Sequence, residues 1–172
     1  EGRFELVQRE VDGHQGAIGA QGLTRHFAAI GDEAFIPSVD IKEVGVFTLQ
    51  RWDRGTWGVD AGLRVDQRRL QADLAGRSNS TPAQVAGVDW SKADPNQSFT
   101  NVSASAGLFW KPAADLFWAL SLSHNSRAPT EFELFADGPH GGTSSYELGN
   151  PNFREERVNS LEGTFRYTPT HG

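Results

Sequence analysis

Apolar and polar residues alternate along several stretches of this chain. In the clearest, Trp57, Val59, Ala61, Leu63 and Val65 alternate with Gly58, Asp60, Gly62, Arg64 and Asp66. Successive side chains of a strand point to opposite faces. The segment therefore predicts a strand with one continuous apolar stripe and one charged, Gly-rich stripe. A strand buried on both faces would be apolar throughout. The same alternation places Val102, Ala104, Ala106, Leu108 and Trp110 opposite Asn101, Ser103, Ser105 and Gly107. It places Leu116, Trp118, Leu120 and Leu122 opposite Ala119, Ser121, Ser123 and Asn125, and Leu161, Phe165 and Tyr167 opposite Ser160, Glu162, Thr164 and Arg166.

Extended along the chain, the pattern predicts seven strands, near Gly2–Arg9, His14–Phe27, Val39–Trp52, Thr56–Gln71, Ser98–Lys111, Leu116–Arg127 and Arg157–Thr168. Val44 and Val46 compete with Phe47 and Leu49 for the outer face of the third strand, and the pattern leaves both open. Short turns at Val11-Asp12-Gly13, Asp53-Arg54-Gly55 and Pro112-Ala113-Ala114-Asp115 alternate with long polar segments over 28–38, 72–97 and 128–156. All short turns then lie at one end of the sheet and all long loops at the other. The fold class this predicts is all-β. It is an antiparallel meander belonging to a large transmembrane β-barrel, with short periplasmic turns and long external loops. The alternative is a soluble β-sandwich or barrel that binds a ligand of carbohydrate type, in which a second sheet would cover the stripes.

The aromatic residues bear on that choice. Trp52 and Trp57 flank one short turn, and Trp110 and Trp118 flank another. Trp favours the membrane interface, where its ring is in apolar surroundings and its N–H is hydrated. The stripe from Trp57 to Val65 covers about nine residues, close to the roughly 9–11 that a tilted strand needs to cross a bilayer. Beyond Val65 the same phase carries Gln67, Arg69 and Gln71, so the strand is expected to continue above the membrane.

Composition narrows the reading. The chain has 172 residues, a formal charge of −6 and no Cys. The charge speaks against a nucleic-acid partner, because phosphate contacts need clustered Lys and Arg. Without Cys there is no disulfide framework and no Cys-based metal site. The absence of Met and a start at Glu1 fit a piece of a longer or processed chain.

Two late segments carry a resemblance. Arg127-Ala128-Pro129-Thr130-Glu131-Phe132-Glu133-Leu134 has the form R-x-P-x-x-x-E-L. Gly149-Asn150-Pro151-Asn152-Phe153 is followed by Glu155, Glu156 and Asn159. In this order, around an external loop, they resemble the TonB-dependent outer-membrane receptors, as does the segment from Phe27 to Pro37. The Gly138-Pro139-His140 triplet is similar to loops of the subgroup associated with zinc or copper uptake. The resemblance implies an N-terminal plug, a barrel of about 22 strands and a bacterial outer-membrane location. Residues 1–172 would form one part of such a barrel, without the plug and the remaining strands. The implied function is TonB-energised import of a metal ion or siderophore-like metal chelate. Outer-membrane lipid, the TonB system acting through the plug, and a small metal-containing ligand would be the partners. No resident cofactor is expected; a Zn, Cu or Fe chelate would be cargo.

Candidate site residues follow. Asp137, His140 and Glu147 share the last long loop, and imidazole and carboxylate suit Zn²⁺ or Cu²⁺. His26 and His124, at outer strand ends, are candidates to join them. Arg127, Glu131, Asn150 and Asn159 occupy the motif positions and are expected to fix loop geometry through hydrogen bonds and ion pairs. Asp60, Arg64, Asp66, Arg68, Glu162 and Arg166 would line the lumen and pair with one another. No enzyme is expected: there is no G-x-S-x-G elbow, no H-E-x-x-H and no phosphate-binding Gly loop.

Overall fold

The structure, a computed structural model, describes residues 1–31, 34–75, 88–140, 142 and 144–169. Ten elements follow one another. They are β1 (Gly2–Val11), β2 (His14–Phe27), β3 (Val39–Asp53), β4 (Trp57–Ala72), β5 (Asn96–Ala113), β6 (Leu116–Arg127), α1 (Glu131–Phe135), β7 (Asp137–His140), β8 (Ser145–Leu148) and β9 (Glu156–Tyr167). Seven strands form one antiparallel sheet in the order β1-β2-β3-β4-β5-β6-β9, and β7 and β8 form a separate hairpin. The all-β meander read from the alternation is therefore the observed architecture. β1 and β9 are the two edges of the sheet.

Register settles which residues share a face, because directly opposed residues point the same way. Trp57, Val59, Ala61, Leu63 and Val65 oppose Trp110, Leu108, Ala106, Ala104 and Val102. Trp110, Leu108 and Ala106 in turn oppose Trp118, Leu120 and Leu122, which meet Phe165, Gly163 and Leu161. The apolar stripes thus merge into one outer band. Leu63, Leu108, Leu120 and Leu122 keep 48–54% of their surface exposed. Among the described residues no second sheet covers them, which removes the soluble sandwich. The third strand is also resolved: Val46 opposes Val65 and Val44 opposes Gln67, so Val44 and Val46 face outward. Phe47 opposes Arg64 on the inner face, where the guanidinium groups of Arg3 and Arg64 lie 4.6 and 5.8 Å from its ring centroid.

The short turns lie at one end. β1 and β2 join through Asp12 (φ 51) and Gly13 (φ 72), the two left-handed residues of a type I′ hairpin. β5 runs further than the alternation predicts. Pro112 lies inside the strand and only Ala114 and Asp115 connect to β6. The register slips between Trp110 and Ala113, and such a bulge tolerates a residue without an N–H. Beside these turns the aromatics form a row. His14 stacks on Trp52 at 4.8 Å and Trp118 lies 4.5 Å from Phe165, with Trp57, Trp110 and Trp118 on adjacent strands between them.

Toward the other end the polarity of the two faces inverts. The outer face turns to Lys42, Gln67, Arg69 and Gln71, while the inner face turns to Val39, Ile41, Leu70, Ala72 and Phe99, all buried. These inner residues form a core with Trp90, Leu134 and Phe135. The strands therefore leave the apolar layer and continue as one wall of a water-facing structure.

Ala61→Arg puts a guanidinium in mid-band and should cost about 2–4 kcal/mol. Ser105→Arg, on the inner face beside it, should cost nearly nothing. Reversible folding into phospholipid vesicles measures both; equal costs would refute the lipid-facing assignment.

Candidate functional site at the external end

The segment 128–156, expected as an irregular loop, holds a short helix and a hairpin instead. The start of α1 is encoded locally. Thr130 Oγ1 accepts a hydrogen bond from the Glu133 N–H at 3.2 Å, and Glu133 Oε2 accepts one from the Thr130 N–H at 2.8 Å. This reciprocal capping box is the signal Thr-x-x-Glu, present in the sequence ahead of Leu134. Arg127 adds two parallel bonds to Glu133, both 2.9 Å, and reaches Glu156 Oε2 at 2.6 Å. The Arg127 fork, with the Thr130 N–H behind it, holds the Glu133 carboxyl far below the ordinary range, at about 2.

Glu131 faces the sheet. It is only 3% exposed, and its two oxygens pair with Arg25 and, at 3.3 Å, with Arg68. Arg68 also bonds Glu43 Oε2 at 3.0 Å. The four charges come from β2, β3, β4 and α1 and sit where the inner face changes from polar to apolar. A buried carboxylate needs such partners, because desolvation alone would disfavour its charge. Lower on the inner wall, Arg64 binds Asp66 through Nε and Nη2 at 2.7 and 2.5 Å. Arg51 stands 3.8 Å from Asp60, and Arg166 lies 5.5 Å from the Phe117 ring centre.

The second motif closes over the helix. Gly149 N–H donates to Ala136 O at 2.7 Å and Asn150 N–H to Glu133 O at 2.8 Å. A Cβ on Gly149 would come within 2.8 Å of the backbone of Leu134, Phe135 and Ala136, so only glycine permits this approach. Asn150 Oδ1 then accepts from Asn152 N–H at 2.9 Å. Asn159 stands apart: it lies on the outer face of β9 and contacts His124 Nδ1 at 2.7 Å.

The metal candidates are divided. His140 Nδ1 and Glu147 Oε1 are 2.6 Å apart across the β7–β8 hairpin. Asp137 is turned elsewhere: Trp90 Nε1 donates to its Oδ2 and the Tyr146 hydroxyl to its Oδ1, both at 2.7 Å. Among the described residues no three His, Asp or Glu side chains converge so as to hold a metal ion. His26 pairs with Asp40 at 2.8 Å and, like His124, lies on the outer face. Neither can join a site on the inner side. Sequence reasoning missed Phe35 and Trp90, which tie two other loops to this hairpin. Asp137 N–H donates to Phe35 O at 2.7 Å, and the Phe35 ring lies 5.1 Å from His140. Asp32 and Glu33, part of the earlier motif segment, lie outside the described residues.

An apolar outer band, an aromatic row beside short turns and long loops anchored on the inner wall define an outer-membrane β-barrel protein. Residues 7–172 match the family model described as TonB dependent receptor-like, beta-barrel. The chain belongs to this family, and its place is the bacterial outer membrane.

Glu131→Ala leaves Arg25 and Arg68 without their shared anion and should destabilise the external cap by about 3 kcal/mol. Amide exchange over residues 131–136 reads this. A second outcome concerns acid. A carboxyl lowered on folding contributes fully above its unfolded pKa, about 4.3, and the contribution fades as pH falls toward about 2. Opening of α1 should therefore rise between those values, and Glu133→Gln should raise it at neutral pH while flattening the acid response.

Proposed function

We propose that residues 1–172 form part of the wall of a receptor for TonB-energised import of a metal ion or metal chelate, with a plug and further strands completing the barrel. The observation that carries the reading is the ion-paired cap. Arg25, Arg68 and Glu131 lash the late external loop to the inner wall, so that the β7–β8 hairpin and its two neighbouring loops are presented together above the lumen. A fixed entrance reduces the ordering cost of ligand capture. The His140–Glu147 pair supports metal-bearing cargo, since imidazole and carboxylate are donors suited to Zn²⁺ or Cu²⁺, and it sits in the Gly-Pro-His segment. Asp137 serves this reading as the anchor of the hairpin through Trp90 and Tyr146. Import requires the plug to respond to TonB, and the wall described here supplies the passage and the capture surface.

Cells dependent on this receptor should accumulate Zn²⁺, Cu²⁺ or an Fe³⁺ chelate in an energised state and lose the uptake when the proton gradient is dissipated. Elemental analysis of washed cells measures it, and no gain over receptor-free cells for any of these cargoes refutes the metal reading. His140→Ala should weaken binding of the accumulated cargo by about tenfold, the order seen when a group supporting a metal site is removed. An unchanged calorimetric affinity would remove His140 from the site.

A further inference from the structure

Just above the apolar band, on the outer face, Lys42 and Arg69 stand directly opposite each other on β3 and β4. Both are exposed, and among the described residues neither has an ion pair or a side-chain hydrogen bond. Like charges in this arrangement repel and destabilise a sheet. The nearby carboxylates are engaged elsewhere: Glu43 is turned inward to Arg68, Asp40 is bonded to His26, and Glu1 Oε1 accepts from Gln21 Nε2 at 2.6 Å. The two cations border an open groove of about 560 Å³ with Glu1, Gly22, Thr24, Val44 and Gln67. Gly2 and Gly22 oppose each other there and leave the floor without side chains.

Height fixes what the groove faces. Lys42 is ten residues above Trp52 and Arg69 is twelve above Trp57. At roughly 3.3 Å per residue and a tilt of about 40°, both lie roughly 25–30 Å above the aromatic row. That is the thickness of the apolar layer, so the pair sits at the external headgroup level while Val44 below it meets acyl chain.

We propose that Lys42 and Arg69 clamp the phosphate of an outer-leaflet lipid whose acyl chain lies over Val44 and the Gly2–Gly22 floor. The phosphate relieves the cross-strand repulsion. Two cations at an interface favour an anionic headgroup by about 1 kcal/mol each, and the apolar wall directly beneath gives the chain its place. The occupant is thus a lipid and not a free anion.

The receptor, purified in neutral detergent, is titrated with dioleoylphosphatidic acid or dioleoylphosphatidylcholine and followed by native mass spectrometry. Phosphatidic acid should be retained selectively. Lys42→Gln with Arg69→Gln should weaken retention about thirtyfold. Lys42→Glu should abolish the selectivity while raising thermal stability in detergent alone, because it replaces a like-charge pair by an opposite one. Gly22→Phe, whose Cβ would meet only Glu43 O at 3.9 Å, should block the groove with both cations in place and carries the test if the charge variants fail to fold. Equal retention of the two lipids, unchanged retention in the variants, or full displacement by inorganic phosphate would overturn the proposal.

Discussion

In hydrocarbon an unpaired backbone N–H or C=O costs on the order of several kcal/mol, and this requirement orders the whole chain. Each strand from β2 to β6 bonds a neighbour on both sides, with β1 and β9 at the edges. The continuous ladder forces strict alternation, because every residue then points to one face or the other. Lipid on one side and water on the other explain why Ala61 and Leu63 oppose Ala106 and Ala104 outside while Gly62 and Arg64 oppose Ser105 and Ser103 inside. The bulge at Pro112 and the Asp12–Gly13 turn occur at the end of the sheet, where the ladder can end or slip without cost in lipid.

The ladder continues past the apolar layer, but its surroundings do not. Above Val65 the outer face turns polar at Gln67, Lys42 and Arg69, and the inner face gains a core of its own from Ile41, Leu70, Phe99, Leu134 and Phe135. The two regimes meet at Glu43, Arg68, Arg25 and Glu131. Charges placed at that boundary satisfy one another while marking where the cap must stop. The late loop is held by two different devices, the buried Glu131 cluster and the more exposed Arg127–Glu133 fork. The fork holds the helix start, and Gly149 closes over its end.

Much of the fold was legible in the chain. Alternation with period two predicted every strand of the main sheet to within a few residues, since a residue's polarity reports directly on lipid or water. It also predicted the aromatic row, because the Trp residues flank turns of known position. Strand three resisted: Val44, Val46, Phe47 and Leu49 are apolar in both phases. Register with β4 decides it: Val46 opposes Val65 outside, so Phe47 points inside, where Arg3 and Arg64 lie over its ring.

The site was legible in a narrower sense. Arg127, Glu131 and the Gly149-Asn150-Pro151 turn stood out as motif positions, and Thr130-x-x-Glu133 carries its helix start in four residues. Which charges Glu131 meets could not be read, since Arg25 and Arg68 lie 106 and 63 residues away. Nor could the division of Asp137 from His140 and Glu147, which depends on a Trp from another loop. By itself the sequence determined which side of the clearly alternating strands meets lipid, because solvent preference is a property of single residues. Only the tertiary structure decided which charges and loops meet, because those contacts depend on register and on chain segments far apart in sequence.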